Sequence, residues 1–246
     1  MSPNAQSKIR AAAATDCGPV RSRNEDAHLI DVNSGLVALS DGMGGHQDGD
    51  LASRTVLAML FEKLSKTSGL DGFDQPRIDG ALRAAHESLG VLNRGRSPRD
   101  AMGATIVGVG IRSDQAECHV FHVGDSRAFL WRRGDLRVLT RDHSAHEAWL
   151  SRGGAGQAPP RHVLTQALGM RGTFEPTVLH LSLEPGDLMM LCSDGVSDVL
   201  DEAAISRELE RMDCRQLAGG CALIIQAALN AGTRDNVTVI IVGIDR

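Results

Sequence analysis

Four apolar runs in this chain each meet an aspartate at one end. Leu36 to Ser40 runs into Asp41, Val120 to Gly124 into Asp125, Leu188 to Ser193 into Asp194, and Asp235-Asn236 opens Val237 to Val242. Runs of this length bounded by Gly, Asn or Asp predict buried strands. Carboxylates gathered where strands leave a core are partly desolvated beside like charges, which is unfavourable unless a cation neutralises them. A hard divalent metal is the simplest such cation.

The remaining patterns place these strands in a mixed fold. Strands are expected at about 9–15, 27–32 and 35–40, followed by a helix from His46 to Ser65 and a second over 76–93. Stretches 102–112, 116–123, 126–132 and 135–140 are joined by short Ser-Asp-Gln and Arg-Gly-Asp turns that suit antiparallel hairpins. Ser144-Ala145-His146-Glu147 has the Ser-x-x-Glu form of a capping box, so a short helix is expected to start there and stop at Gly153-Gly154. Strands at 176–182 and 187–193, helices at 201–211 and 214–230, and a strand over 236–244 follow. This order is neither strict strand-helix alternation nor two separate halves, so the fold class is α+β. The loops at 66–75 and 153–161 are too short to be linkers; one domain over 1–246 is expected, with residues 1–9 unstructured.

A net charge of −5 and a pI near 6.0 argue against a nucleic-acid binder, which is usually basic over at least one face. Five cysteines, at 17, 118, 192, 214 and 221, are odd in number and lack paired spacing, so no disulfide framework or zinc knuckle is suggested and a reducing cytoplasm fits. No stretch approaches the ~18–20 apolar residues of a membrane span, and Met1 to Arg10 lacks the apolar segment of a secretion signal. A soluble cytoplasmic protein is expected, with no membrane partner.

The residues following Asp41 sharpen the metal reading. Asp41-Gly42-Met43-Gly44-Gly45 offers a carboxylate and then glycine backbone that approaches an ion closely, so that a carbonyl can also be a ligand. Asp194-Gly195 repeats the logic, and Asp235 supplies a third carboxylate. An all-oxygen set selects Mg²⁺ or Mn²⁺ over zinc or copper. Two such ions sharing a carboxylate can clamp both oxygens of an in-line phosphoryl displacement, with a metal-activated water as nucleophile. Arg21 adds a planar guanidinium fork suited to a phosphate. Each aspartate taken alone is better read as turn or cap chemistry; the combination points to phosphoester hydrolysis.

Gly18-x-x-Arg21-x-x-Asn24-Glu25-Asp26, Asp41-Gly42-Met43-Gly44-Gly45-His46, Gly124-Asp125-Ser126-Arg127, Ser193-Asp194-Gly195-x-x-Asp198 and Asp235-Asn236 together resemble, in that order, the motifs of bacterial metal-dependent protein phosphatases of the PPM family, type 2C. The resemblance runs from about residue 10 to 244. It implies a sandwich of two packed antiparallel sheets flanked by pairs of helices, and hydrolysis of phosphoserine and phosphothreonine in proteins, opposing a Ser/Thr kinase. It implies two Mn²⁺ or Mg²⁺ ions bridged by Asp41, with Asp194 and Asp235 completing one and the Gly42 carbonyl serving the other. Glu25 then holds a metal-bound water, Asp125 binds a third ion and Arg21 binds the phosphate. Asp26, Asn236, Ser126 and Arg127 match supporting positions. Met43 stands where eukaryotic relatives carry a histidine, so a proton for the leaving group must come from water or another residue; His46 is a candidate. A monomer is expected.

Arg161-His162-Val163-Leu164-Thr165-Gln166-Ala167-Leu168-Gly169 matches the end of the family's flap, but Gly153 to Pro160 before it is shorter and richer in glycine than in many bacterial relatives. Two other patterns compete. Cys17 to Arg23 has the Cys-x5-Arg spacing of thiolate phosphatases, but a reactive thiolate needs an electropositive field and Asn24-Glu25-Asp26 is acidic. His143-x-x-His146-Glu147 lacks the His-Glu-x-x-His spacing of zinc hydrolases, and the capping box accounts for it. A phosphoprotein-binding module without turnover is a further alternative, against which the intact set Arg21, Asp41, Asp194 and Asp235 argues, as is a phosphatase confined to an anti-sigma-type switch protein, against which Arg21 argues.

Overall fold

The computed structural model describes residues 9–44, 48–65, 72–112, 117–212 and 216–245. Two antiparallel sheets lie face to face. One has the order β1 (Ile9–Asp16), β11 (Val237–Ile244), β10 (Leu188–Cys192), β7 (Arg127–Arg132), β8 (Asp135–Val138). The other runs β2 (Asp26–Asp31), β3 (Leu36–Met43), β5 (Ile106–Arg112), β6 (Glu117–Val123), β9 (Thr177–Ser182), with β4 (Gly103–Ala104) paired to the end of β3. Helices α1 (Gly49–Leu64) and α2 (Gln75–Leu92) cover the second sheet, and α5 (Glu202–Arg211) and α6 (Leu217–Asn230) cover the first. The short helices α3 (Ala145–Ser151) and α4 (Asp194–Ser197) sit in the connections. This is the expected sandwich of two sheets flanked by helix pairs.

The apolar runs are continuous because both faces of the central strands are buried, with side chains alternating between two interiors. On β11, Val237, Val239 and Ile241 meet the helices, while Ile240, Val242 and Ile244 enter the layer between the sheets. On β3, Leu36 and Ala38 face the helices, and Val37 and Leu39 face the other sheet. Each fully buried Val, Leu or Ile contributes about 1.5–3 kcal/mol, so such strands are held from both sides.

Local expectations are corrected at several points. Ile9 pairs with Ile244 at the start of β1, so the strand begins within the segment expected to be unstructured; residues 1–8 lie outside the described residues. The strand expected over 102–112 is interrupted at Thr105, whose N–H donates to Asp41 O at 2.8 Å. The first helix is described from Gly49 behind Asp48, and the start expected at His46 lies outside the described residues. Asp41 lies inside β3, which continues through Met43 because Gly42 and Met43 pair with Ala104 and Gly103. At the capping box, Ser144 Oγ accepts from Glu147 N–H at 3.1 Å, but the Glu147 carboxylate turns away to Arg141.

Candidate active site

Topology brings the aspartates together at one end of the sandwich. Asp26 and Asp41 are directly opposite on paired strands β2 and β3. Asp194 opens α4 at the exit of β10, Asp235 precedes β11, and Asp125 lies in the crossing from β6 to β7. Asp41, Asp125, Asp194 and Asp235, with Glu25, Arg21 and Gly42, border a cleft of about 420 Å³. Like charges placed opposite on neighbouring strands are unfavourable by themselves.

The electrostatics carry this conflict. Burial, and then the charges of Asp26 and Asp194, push the Asp41 carboxyl well above its ordinary range. Asp194 is pushed up by burial and by Asp125 and Asp235. Burial, with the Asp142 charge second, raises Asp125 to about 6. Glu25, half-buried, is raised by burial first. Asp194 Oδ1 and Asp26 Oδ1 are buried without a hydrogen-bond partner. A buried carboxylate oxygen without a donor is unfavourable, and at Asp194, which faces the cleft, a cation could relieve it.

Three features set the positions of these groups. Gly42 is the only residue type its site admits: a Cβ there would lie 1.9 Å from Gly49 O and 2.8 Å from Glu25 O. That close approach seats β3 against the start of α1 and holds Glu25 beside Asp41. Asn236 is a clamp: its Oδ1 accepts from Glu25 N–H at 2.8 Å, and its Nδ2 donates to Cys17 O at 2.9 Å and Arg23 O at 2.8 Å. The loop carrying Arg21 is therefore pinned on both sides to the start of β11. Arg21 itself is exposed and donates from Nη2 to Asp235 Oδ2 at 2.5 Å. Asp26 Oδ2 accepts from Ser193 Oγ at 2.8 Å, and Ser193 Oγ accepts from Thr238 N–H at 3.0 Å, so this carboxylate ties the two sheets beneath the cleft.

These residues fit divalent ions. The unpartnered Asp194 Oδ1, the glycine-only backbone at Gly42 and a donor set made entirely of oxygens suit Mn²⁺ or Mg²⁺. Among the described residues no three His, Cys, Asp or Glu side chains form a closed ligand cluster; the acidic groups line the cleft walls, an arrangement suited to ions that retain waters. Of the residues expected from sequence, Arg21, Glu25, Asp41, Gly42, Asp125, Asp194, Asp235 and Asn236 all line the cleft. Asp26 lies beneath it, and His46 is outside the described residues.

The structure adds Thr105 and Met170, which no sequence pattern marked, and shows how Arg127 and the flap segment, both marked, are placed. Thr105 Oγ1 accepts from Asp41 N–H at 3.1 Å and shares a 2.7 Å hydrogen bond with Ser126 Oγ, linking the Asp41 and Asp125 segments. No local signal marks Thr105, which lies in an apolar run. Arg127 grips Asp142 through Nε and Nη2 at 2.8 and 2.6 Å, which directs the chain after Asp125. His162 and Leu164, from the flap segment, and Met170 beyond it complete the cleft wall. The competing patterns lose support: Cys17 follows a strand and its thiol donates to Arg21 O at 3.2 Å, while His146 Nδ1 bonds Pro159 O at 3.0 Å.

Comparison with known proteins agrees with this geometry. The sequence profile of the family Protein phosphatase 2C matches residues 19–229. Serine/threonine protein phosphatase PstP of Mycobacterium tuberculosis is 32% identical over 238 residues, which make up 95% of this chain and 44% of that protein. This chain therefore spans less than half the length of that relative. Serine/threonine phosphatase stp of Listeria monocytogenes is 29% identical over 244 residues, covering 95% of each protein. A crystal structure of the catalytic domain of PstP in complex with two manganese ions matches at a TM-score of 0.84 and 31% identity, over 97% of this chain and 99% of that one. The chain belongs to the protein phosphatase 2C family.

Proposed function

We propose that this chain is a metal-dependent protein serine/threonine phosphatase that removes phosphate from phosphoserine and phosphothreonine in other proteins. The observation that carries the reading is the buried, unpartnered Asp194 Oδ1 among carboxylates facing the same cleft as Arg21. Asp41, Asp194, Asp235 and the Gly42 carbonyl would hold the ions, and the structure of the PstP catalytic domain in complex with two manganese ions supports a pair of them. When bound, the ions activate water as the nucleophile and neutralise charge on the phosphoryl oxygens.

The chain's own residues orient the substrate and hold the site. Arg21, exposed at the cleft rim, presents its guanidinium to the phosphate and fixes its direction. Asn236 keeps the Arg21 loop in place, and Asp26 braces the floor. Glu25 would orient a water beside the first helix, and Asp125 would hold a third ion if one binds. Mg²⁺ is an alternative to Mn²⁺ for the same oxygens. A single domain acting as a monomer and opposing a Ser/Thr kinase completes the proposal. The four described cysteines form no disulfide. Among the described residues no helix is long and apolar enough to cross a membrane.

Hydrolysis of p-nitrophenyl phosphate and of a phosphothreonine peptide, with and without added Mn²⁺ or Mg²⁺, tests the reading. Turnover that depends on the metal and stops with EDTA is expected; turnover that survives EDTA would overturn it.

A further inference from the structure

Beside the carboxylate cleft lies a larger groove of about 750 Å³, and the two share Met43 and Met170 in their walls. Its base is built by one buried amide. Asn93, just after α2, donates from Nδ2 to Met102 O at 2.7 Å and to Gly169 O at 3.3 Å, and its Oδ1 accepts from Met102 N–H at 2.8 Å. Three chain segments are thereby locked together, so the groove is preformed.

The polar lining of this groove is basic. Arg94, Arg96, Arg171 and His86 contribute to it, and among the described residues no Asp or Glu does. His86 Nδ1 accepts from Gly169 N–H at 3.3 Å, and burial favours its neutral form, so that ring is part of the framework. Arg96 is partly matched, by an ion pair with Asp48 and a bond to Asp100 O at 3.2 Å. The guanidinium groups of Arg94 and Arg171 are exposed and make no ion pair or hydrogen bond among the described residues. In a chain of net charge −5, this is a local reversal of sign. Guanidinium forks suit carboxylates, and the Met43 and Met170 side chains suit the aliphatic stems that carry them.

Continuity with the cleft identifies the occupant. Met43 is two residues beyond Asp41 on β3, a separation of ~7 Å at the rise of a strand. A substrate whose phosphate sits in the cleft must lead its flanking chain away along one of the walls, and the Met43 and Met170 wall opens into this groove.

We propose that this groove docks Asp and Glu residues flanking the phosphorylated residue of the protein substrate, making an acidic flank a determinant of selection. At ~3.3–3.6 Å per extended residue, the docked side chains lie about two to five residues from the phosphorylated one. The proposal rests on the phosphatase reading and names the substrate class for that same site.

The test uses phosphothreonine peptides with one common core and a flank of Glu, Ala or Lys, with p-nitrophenyl phosphate as the reference rate for each variant. The wild-type protein is expected to favour the Glu flank over the Ala flank by about tenfold in kcat/KM, through KM. The Arg94→Ala/Arg171→Ala variant should lose that preference, and Arg94→Glu/Arg171→Glu should favour the Lys flank. Equal KM for Glu and Ala flanks in the wild type, or a Glu preference that survives in the double variant, overturns the proposal. So does a preference for a flanking phosphoserine with none for Glu, which would mark a phosphate pocket instead. Fluorescence anisotropy of the same labelled peptides reads the preference without turnover. Absence of any hydrolysis with Mn²⁺ would overturn the phosphatase reading, while the anisotropy ratio still decides the docking.

Discussion

Arg21 Nη2 donates to Asp235 Oδ2 at 2.5 Å, joining two residues 214 positions apart in sequence. The guanidinium proposed to bind phosphate is thus held against a carboxylate proposed to bind metal. Asp235 aligns it, and its exposed side leaves donors free for a substrate. Arg21→Ala is expected to lower kcat/KM for phosphopeptides by about 10–100-fold, the range of one charge-assisted hydrogen bond. Steady-state kinetics check this, and Mn²⁺ binding by calorimetry should persist in the variant.

Asp41 and Asp125 have unequal roles. Asp41 is surrounded by the other carboxylates and would serve both ions, so Asp41→Asn should lower kcat by more than about 100-fold, beyond the range found for outer-shell partners of metals. Asp125→Asn should lose about tenfold or less and recover as Mn²⁺ is raised. Manganese titrations of p-nitrophenyl phosphate turnover compare the two; equal, unrecoverable losses would contradict the division.

Cys17 Sγ is engaged with Arg21 O and lies beside Asn236. Its thiol takes no part in the proposed chemistry, so Cys17→Ser should change kcat by no more than about twofold, as for a substitution of small energetic effect. Abolished turnover would restore the thiolate mechanism.

His143 is held neutral between two contacts. Its Nδ1 accepts from Gly124 N–H at 3.3 Å, its Nε2 meets Thr177 Oγ1 at 3.1 Å, and its ring stacks on His122 with centroids 4.5 Å apart. Burial, and then His122, lower its pKa to about 4 from an ordinary 6.5. A histidine depressed in the folded state contributes stability that is complete above 6.5 and is lost as pH falls toward 4. The raised carboxyls of the cleft act in the opposite direction over the same window, so the His143 contribution is read as a difference: the Tm of the wild type minus that of His143→Asn should fall as pH drops from 6.5 toward 4.

Gly42 tolerates no side chain. A Cβ would lie 1.9 Å from Gly49 O, backbone that cannot swing aside. Gly42→Ala is expected to destabilise the fold by at least about 2 kcal/mol, in the range of overpacked sites, and to displace the carbonyl proposed as a ligand. Chemical denaturation and Mn²⁺ affinity measure the two effects separately.

Much of this was legible from local pattern. The apolar runs at 36–40, 188–193 and 237–242 are strands because their side chains are buried on both faces, a property set by composition and period two. The acidic residues lining the cleft were also legible, because the aspartates stand at or near strand ends and glycine neighbours mark close backbone approaches. Less legible were the break at Thr105, the continuation of β3 through Met43 and the short α4 at Asp194. Each depends on a partner distant in sequence: Asp41 for Thr105, Gly103 and Ala104 for the end of β3, and Thr238 for the Ser193 that precedes α4.

The sequence by itself determined the strands, their alternation and an acidic set that calls for a cation, because steric propensity and hydrophobic period act over a few residues. Only the tertiary structure decided which carboxylates face one another, how Asn236 clamps the Arg21 loop and where Arg94 and Arg171 form a basic wall. Those outcomes depend on strand register and on desolvation. One residue of slip in a strand turns its side chains to the opposite face, and charges couple strongly only when packing removes the water between them.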